Sequence, residues 1–328
     1  MERISVESAM RRYIDSIRLS RSPFTAKTYS NALRFFSDTL NKKGIDVTST
    51  PIVSLKEDTI IHLSTDLKNH APTTERLYLQ AASGFFEFLV AEKLAEINFP
   101  RIKLLIHQRA RRLGQRLPQF PSSSIDKLLE IFADKNYAPA SNETEKLINL
   151  RDRAFLITLA DTGLRVHEAC NLRRGDIDWN EGKAVIIGKG NQQAMVRFST
   201  RATDALLDYL RERGKLDGKS RVSLSALPLF SRHDKGAGQK VKPLTTTSGR
   251  NIVSDRVSQF LGEEYVGSIT PHSFRHYFVT RVLRSSGNLK LAQELARHKN
   301  IAVTQRYAHL SNDELDKGYW DAIEKENK

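Results

Sequence analysis

The sequence lacks the features of disulfide-bonded, membrane-spanning and secreted proteins. Its one cysteine, Cys170, has no partner for an internal disulfide and no cysteine or histidine at metal-ligand spacing, so a small buried residue is expected there. No apolar run approaches the roughly 18 residues of a membrane span. The charged start MERISVESAMRRYIDSI contains no apolar segment of a signal peptide. We therefore expect a soluble cytoplasmic protein with no membrane partner.

The nucleotide- and metal-binding motifs of common enzymes are missing as well. The glycines of GKGNQQ stand in the wrong order for a P-loop, and DKGAGQK lacks the third glycine of a dinucleotide fingerprint. No HExxH motif and no cysteine–histidine cluster suggests a zinc site. We therefore expect neither a metal nor a cofactor.

Positive charge is in excess and is unevenly distributed. The net charge of +14 predicts a polyanionic partner, with double-stranded DNA ahead of acidic lipid. Residues 1–100 carry 13 basic and 12 acidic residues, residues 101–121 carry 6 and none, and residues 122–328 carry 33 and 26. We expect the same three ranges to be a first domain, a basic linker and a second domain.

The first hundred residues have helical periodicity. Apolar residues recur at i, i+3, i+4 and i+7, and SPFTAKTYSNALRFFSDTL begins with Ser22 as N-cap and Pro23 at the first helical position. This pattern predicts a compact bundle of four or five helices. Arg21 and Lys27 flank that helix start with no acidic residue between them, so they are candidate phosphate contacts.

The basic segment 101–121 has the composition of an extended linker. From Phe99 the chain reads FPRIKLLIHQRARRLGQRLPQFPSSS, with three prolines, one glycine and no acidic residue. Its candidate DNA contacts are Arg109, Arg111, Arg112 and Arg116. A solvated hinge explains the same composition equally well.

Residues 122–328 predict helices and one β-hairpin. In the hairpin, KAVIIGKGNQQAMVRFS places apolar strands on both sides of a Gly-Lys-Gly-Asn turn. The predicted fold is therefore mainly α-helical with a small antiparallel β-hairpin or sheet.

Two stretches of this region carry cations near helix starts. In TGLRVHE, Gly163 is expected to end the preceding helix, and Arg165 and Glu168 lie three residues apart and so on one helical face. In TPHSFRH, His272 and Arg275 have the same spacing just after Thr270 and a proline, where a helix N-terminus can help them to cradle a phosphate. Each pair also has an ordinary explanation, as a helix salt bridge or as a chance match.

Three further residues complete an ordered set. Lys189 lies at the predicted hairpin tip, where a solubilising charge is common. His298 precedes Tyr307 by nine residues in ARHKNIAVTQRY, and a tyrosine in such a place is usually a packing residue. The functional interpretation depends on the whole set and on its order.

In this order the sequence resembles the tyrosine recombinase (phage integrase) family, in particular its Xer-like members. The stretches DTGLRVHEACNLRRGDID and TPHSFRHYFVTRVL are specific motifs, and the interval from His298 to Tyr307 matches the family. The resemblance covers roughly residues 120–312 directly. It implies a helical core-binding domain that contacts DNA, followed by a mixed α+β catalytic domain.

The resemblance also implies roles for the residues that bind the scissile phosphate. Arg165 and Arg275 would hold its non-bridging oxygens, and Glu168 would orient the arginine site. His272 would assist by hydrogen bonding and proton transfer, and His298 would hold a phosphate oxygen.

The remaining implied roles belong to the reacting groups. Tyr307 would be the nucleophile that forms a 3′-phosphotyrosyl link, and Lys189 would protonate the departing 5′-oxygen. A phenol has a pKa of about 10 and attacks at neutral pH only beside cations, which also hold the charge of the displacement without a metal. One departure is Arg297, which stands where the family usually has a small residue before His298.

Two alternatives share part of this pattern. A type IB topoisomerase-like enzyme uses the same phosphotyrosine chemistry but relaxes supercoils as a monomer, and a silent relative binds DNA without catalysis. The Xer-like motifs and the basic segment favour site-specific recombination. The presence of every expected active-site residue type disfavours a silent relative.

The residues after Ser311 are expected to join subunits. NDELDKGYWDAIEKENK places Leu315, Tyr319, Trp320 and Ile323 on one side of a predicted short helix, and in the family such a tail docks into a neighbouring subunit of a tetramer on two DNA sites. Deletion after Ser311 is expected to weaken the pairing of two DNA sites, measured by native electrophoresis. Unchanged pairing would mean that the tail folds back onto its own core.

Overall fold

The chain divides into two compact units, Met1–Arg116 and Leu117–Lys328. The computed structural model describes residues 4–111, 122–188, 193–234, 236–238 and 240–305. These residues are mostly helical with one small antiparallel sheet, which confirms the predicted fold class. None of the described helices is long and apolar enough to cross a membrane.

Five α-helices form the described part of the first unit. They are α1 (Val6–Ser20), α2 (Pro23–Lys42), α3 (Thr59–Asp66), α4 (Pro72–Ala91) and α5 (Phe99–Arg109). The start of α2 is as predicted, because the Ser22 side chain accepts a hydrogen bond from the Thr25 backbone N–H and Pro23 lies in the first turn. Their inward faces enclose one hydrophobic core in which Phe36 and Phe85 are fully buried.

Helix α5 shows that the extended linker predicted for 101–121 is wrong over its first half. The amphipathic sequence Phe99–Arg109 packs against α3 and α4 and buries Ile102 in the core of the first unit. Pro100 does not prevent this, because a proline is tolerated in the first turn of a helix. The later part of the predicted linker, 112–121, lies outside the described residues.

A buried carboxylate anchors the end of the first unit. Glu75 is 1% exposed and accepts hydrogen bonds from the Lys68 ammonium at 2.6 Å and from the backbone and guanidinium of Arg111. Burial opposes its ionisation, but these bonds hold the pKa of Glu75 below its usual value. The Arg111 guanidinium also donates to the carbonyls of Leu67 and His70, so it stabilises the first unit itself.

The second unit is built around one central helix. Its described helices are α6 (Ser122–Ile131), α7 (Glu143–Thr162), α8 (Val166–Asn171), α9 (Thr200–Gly218), α10 (Thr246–Leu261), α11 (Pro271–Ser286), α12 (Leu289–Ala296) and α13 (Ile301–Gln305). Helix α7 packs against α9 and α11, and nearly every residue from Asn149 to Thr162 is buried. A helix that is buried on all sides lies in the core of its unit.

The predicted hairpin is part of a three-stranded antiparallel sheet. Strands β1 (Ile177–Asp178), β2 (Lys183–Ile187) and β3 (Gln193–Arg197) lie in the order β1-β2-β3. The hairpin β2–β3 confirms the prediction, whereas β1 was missed because two residues show no alternation. Lys189, at the predicted hairpin tip, lies outside the described residues.

The end of α7 depends on a glycine. Gly163 has a φ of 58°, a left-handed conformation that ends the helix as predicted. A Cβ at this position would lie 2.4 Å from a ring carbon of Phe278, so a side chain would also clash with α11. This close approach brings the Gly163 carbonyl towards α11.

A buried histidine makes the stability of the second unit sensitive to acid. His233 Nε2 lies 2.8 Å from the Tyr209 hydroxyl, and burial, Arg151 and Arg213 lower the pKa of His233 to about 3. Between about pH 6.5 and pH 3 the unfolded chain therefore binds a proton that the folded chain does not. Stability falls with falling pH in this window, by up to about 1.4 kcal/mol per pH unit.

His233→Gln is expected to reduce this acid sensitivity. Glutamine keeps a hydrogen-bonding partner for Tyr209 but does not titrate, so the free energy of unfolding should fall less between about pH 6.5 and pH 5 than in the wild type. Urea denaturation at both pH values measures the difference. An identical fall in both proteins would contradict this role of His233.

Candidate active site

Four segments of the second unit meet at the Gly163 carbonyl. This oxygen follows α7 and accepts hydrogen bonds from Arg275 on α11, at 2.5 Å, and from Arg297 at the end of α12, at 3.2 Å. Arg165, which immediately precedes α8, follows two residues later. The structure therefore brings together residues more than a hundred positions apart.

Arg165 precedes α8, whereas the sequence placed it on the face of a helix. It is the N-cap residue, with φ −72° and ψ 149°, and its backbone N–H and Nη1 each donate to the Glu168 carboxylate at 2.8 Å. Glu168, at the third helical position, therefore satisfies an N–H at the helix start and also orients the guanidinium. The Arg165 side chain remains 39% exposed.

Glu168 is a buried acid held by two arginines. Its side chain is 1% exposed, and Oε2 also accepts a hydrogen bond from Arg297 Nη2 at 3.1 Å. Burial opposes ionisation, but the Arg165 backbone N–H and the two guanidinium groups hold the pKa of Glu168 below its usual value. The carboxylate is therefore charged at neutral pH.

Arg275 lies at the base of the site. Thr270 caps α11 and Pro271 follows it, as predicted, and Arg275 projects one turn later. The residue is 3% exposed, and its Nη1 and Nη2 donate to the carbonyls of Gly163 and Ala296. Burial and neighbouring guanidinium groups lower the pKa of Arg275, but an arginine remains protonated at neutral pH.

His272 lies on the first turn of α11, beside a second histidine. Its ring centroid is 4.0 Å from that of His276, at 74°. Desolvation by the surrounding protein, together with Arg275 and Arg165, lowers the pKa of His272. Burial, His272 and Arg275 lower the pKa of His276 to about 3. Both rings are therefore neutral at pH 7 in the free protein.

His298 follows the end of α12 and is held on both sides. Its Nδ1 lies 2.9 Å from the Thr304 hydroxyl, and its carbonyl accepts a hydrogen bond from Gln293 Nε2 at 2.9 Å. Burial first, then Arg275 and Arg165, lower the pKa of His298 to about 4. A neutral imidazole whose Nδ1 bonds Thr304 leaves Nε2 for a ligand.

The hairpin borders the same site. A groove of about 940 Å³ is lined by Gln193 and Arg197 of β3 and by Gln293, Arg297 and His298 at the end of α12. Strand β3, which follows the predicted hairpin tip, therefore lies beside Arg297 and His298.

The remaining predicted residues lie on the first unit or outside the described residues. Arg21 and Lys27 are exposed on the first unit, and Arg109 is partly buried at the end of α5. Tyr307 lies outside the described residues, as do Arg112 and Arg116. The structure thus assembles Arg165, Glu168, His272, Arg275 and His298 and leaves the other assignments as predictions.

Several groups in the site were not foreseen. The Gly163 carbonyl, Gln293 and Thr304 hold Arg275 and His298, and His276 packs on His272. A histidine directly after the arginine in FRHYF, and a threonine three residues before the tyrosine, were the available signals. No local pattern marks the Gly163 carbonyl, because its partners Arg275 and Arg297 lie more than a hundred positions away. Gln293 bonds the His298 carbonyl five residues later, a contact that no sequence motif announces.

This arrangement suits an anion with several oxygens. Three guanidinium groups surround one carboxylate, and neutral imidazoles beside them can donate or accept hydrogen bonds. Among the described residues, no group of three or more histidine, cysteine, aspartate or glutamate side chains is placed to hold a metal ion. Such a site defines a class of proteins that bind and stabilise a phosphodiester through cations of the protein itself.

Comparison with known proteins agrees with this class. Residues 128–314 match the model of the phage integrase family. Tyrosine recombinase XerC of Listeria monocytogenes serotype 4b is 30% identical over 296 residues, which cover 90% of this chain and 90% of the relative. XerC of Bacillus pumilus is 28% identical over 309 residues, covering 94% and 93%. The chain belongs to the phage integrase family.

Solved structures have the same fold. The XerH site-specific recombinase bound to a palindromic difH substrate has a TM-score of 0.67 and 19% identity, covering 96% of this chain and 84% of that one. The Tn1549 transposon integrase in complex with transposon right end DNA has a TM-score of 0.66 and 18% identity, covering 96% and 99%. The matches do not favour the topoisomerase-like alternative.

The Thr304 hydroxyl provides a test of the His298 geometry. Thr304→Val removes the partner of Nδ1 with little change in volume, so the His298 ring loses its fixed orientation. We expect the rate of covalent attachment to DNA to fall by about tenfold, equivalent to about 1.4 kcal/mol. Thr304→Ser keeps the hydroxyl and should retain most of the rate, and equal rates in the two variants would contradict this role.

Proposed function

We propose that the protein is a site-specific DNA recombinase that breaks and rejoins strands through a 3′-phosphotyrosyl intermediate. The observation that carries this proposal is the convergence of Arg165, Arg275, His272 and His298 at the ends of α8, α11 and α12. Family membership supports it, because the matched relatives are named tyrosine recombinases.

Arg165 and Arg275 would bind different oxygens of the scissile phosphate. Arg165 has an exposed side chain oriented by Glu168, so it can approach a phosphate oxygen from the surface. Arg275 is fixed by two backbone carbonyls and keeps further N–H groups for the second non-bridging oxygen. Because both groups are already oriented, binding requires little rearrangement of the site.

The neutral histidines would act as hydrogen-bonding groups and proton carriers. His298, held by Thr304, can donate from Nε2 to a phosphate oxygen. His272, on the first turn of α11, can accept a proton from the attacking phenol. A bound phosphate would favour the protonated rings, which reverses part of the effect of the arginines on their pKa.

Tyr307 would attack the phosphorus and Lys189 would assist the leaving group. The bond from phosphorus to the tyrosine oxygen forms as the bond to the 5′-oxygen breaks, and the 5′-oxygen takes a proton from Lys189. One ester replaces another, so attack by a 5′-hydroxyl reverses the step without ATP. Three peptide units separate Thr304 from Tyr307, a span of at most about 11 Å.

The substrate would be double-stranded DNA bound by both units. Arg21 and Lys27 on the exposed face of the first unit, with Arg109 at the end of α5, would contact backbone phosphates. Recombination joins two duplexes, so we propose a tetramer on two sites, with tail residues linking subunits. The protein would work in the cytoplasm, where such a DNA substrate is accessible.

Covalent capture tests the proposed function and identifies the DNA site in the same experiment. The wild type is incubated with a library of random duplexes that carry a nick, and DNA that remains attached to the protein in denaturant is recovered and sequenced. We expect a defined sequence to be enriched and linked to the protein through a 3′-phosphate.

Tyr307→Phe is expected to abolish this link and to leave DNA binding intact, because only the nucleophilic oxygen is removed. Tyr265→Phe, on the same unit but far from this motif in sequence, is the matched control and should form the link normally. A persistent adduct in Tyr307→Phe would assign the nucleophile to another residue. Failure of the wild type to form any adduct would reject the recombinase proposal.

A further inference from the structure

Arg297 occupies a backbone position that favours glycine. It ends α12 with φ 57° and ψ 45°, a left-handed conformation that is unfavourable for any residue with a Cβ. Its side chain is nevertheless only 11% exposed, although a guanidinium is costly to bury. Both costs indicate that the side chain has a specific task in the folded protein.

The contacts of Arg297 connect the two halves of the phosphate site. Its Nη2 donates to Glu168 Oε2 at 3.1 Å and to the Gly163 carbonyl at 3.2 Å. Glu168 also holds Arg165, and the same carbonyl also holds Arg275. Arg297 therefore shares one hydrogen-bond acceptor with Arg165 and another with Arg275.

The rest of the guanidinium is not satisfied by the protein. Arg297 Nε and Nη1 are buried and have no hydrogen-bond partner among the described residues. Buried donors without partners are rare and destabilising. The cluster also carries uncompensated positive charge. Three guanidinium groups lie near the single carboxylate of Glu168, which leaves a net charge of +2.

We propose that Arg297 is a positioning residue for DNA cleavage, which holds Glu168 and the Gly163 carbonyl so that Arg165 and Arg275 face one phosphate. This inference rests on the proposed function and deepens it. The same side chain adds a third positive charge to the site. Its effect is largest when the displacement spreads further negative charge over the phosphoryl oxygens, so it should act on the chemical step more than on binding.

Arg297→Gly removes the guanidinium and suits the left-handed backbone, so the fold should be retained. The substrate is the nicked duplex recovered by covalent capture with the wild type. We expect the single-turnover rate of attachment to fall by about 10- to 100-fold, the range for losing a group that orients or stabilises the reacting charge. The dissociation constant, measured in the Tyr307→Phe background, should change by less than about threefold.

The matched control is Arg221→Gly. Arg221 is an arginine of the same unit with a left-handed φ of 56°, but its side chain is exposed. Its replacement removes the same charge and relieves the same backbone strain, and it should leave the attachment rate unchanged. Arg297→Lys keeps the charge without the planar fork and should recover part of the lost rate.

Two outcomes of these rate measurements would overturn the inference. One is an attachment rate of Arg297→Gly equal to that of the wild type. The other is a joint loss of rate, DNA affinity and melting temperature, which would reduce Arg297 to a general structural role. A fall in rate alone, partly restored in Arg297→Lys, supports positioning.

A second measurement does not depend on catalysis. Arg297→Gly, Glu168→Gln and the double variant are compared in their free energy of unfolding, and the contact at 3.1 Å predicts that the two effects are not additive. Additive effects would overturn the inference whether or not the chain attaches to DNA. An absence of attachment by the wild type would instead reject the proposed function.

Discussion

A buried carboxylate among guanidinium groups is the interaction on which the site depends. Arg165, Arg275 and Arg297 repel one another, and each would be unstable if buried without acceptors. Glu168 bonds two of them, and the Gly163 carbonyl bonds two, so an acid and a peptide oxygen keep three cations close together. The remaining positive charge suits the phosphodiester of the proposed function.

The predictions that succeeded concern features decided within a few residues. Ser22 and Pro23 start α2, and Thr270 and Pro271 start α11, because caps and prolines act on the adjacent turn. Gly163 ends α7 for a similar reason. These local rules were enough to place His272 and Arg275 on the first turns of one helix, and the ordered motifs were enough to indicate the family.

The predictions that failed concern one packing contact and one local cap. Composition alone predicted an extended chain after Phe99, but Ile102 is buried in the core of the first unit and the segment is helical. Arg165 was expected inside a helix, yet the Glu168 carboxylate bonds its backbone N–H and makes it the cap. The Gly163 carbonyl carries no local signal, since its partners Arg275 and Arg297 come from other helices.

The different exposure of the two phosphate-binding candidates has a consequence for ionic conditions. Arg165 keeps 39% of its side chain in contact with water, whereas Arg275 is almost completely enclosed. Dissolved ions screen an exposed charge strongly and an enclosed one weakly. Rising ionic strength should therefore weaken the first encounter with DNA, while the electrostatic environment of a phosphate already seated on Arg275 changes little.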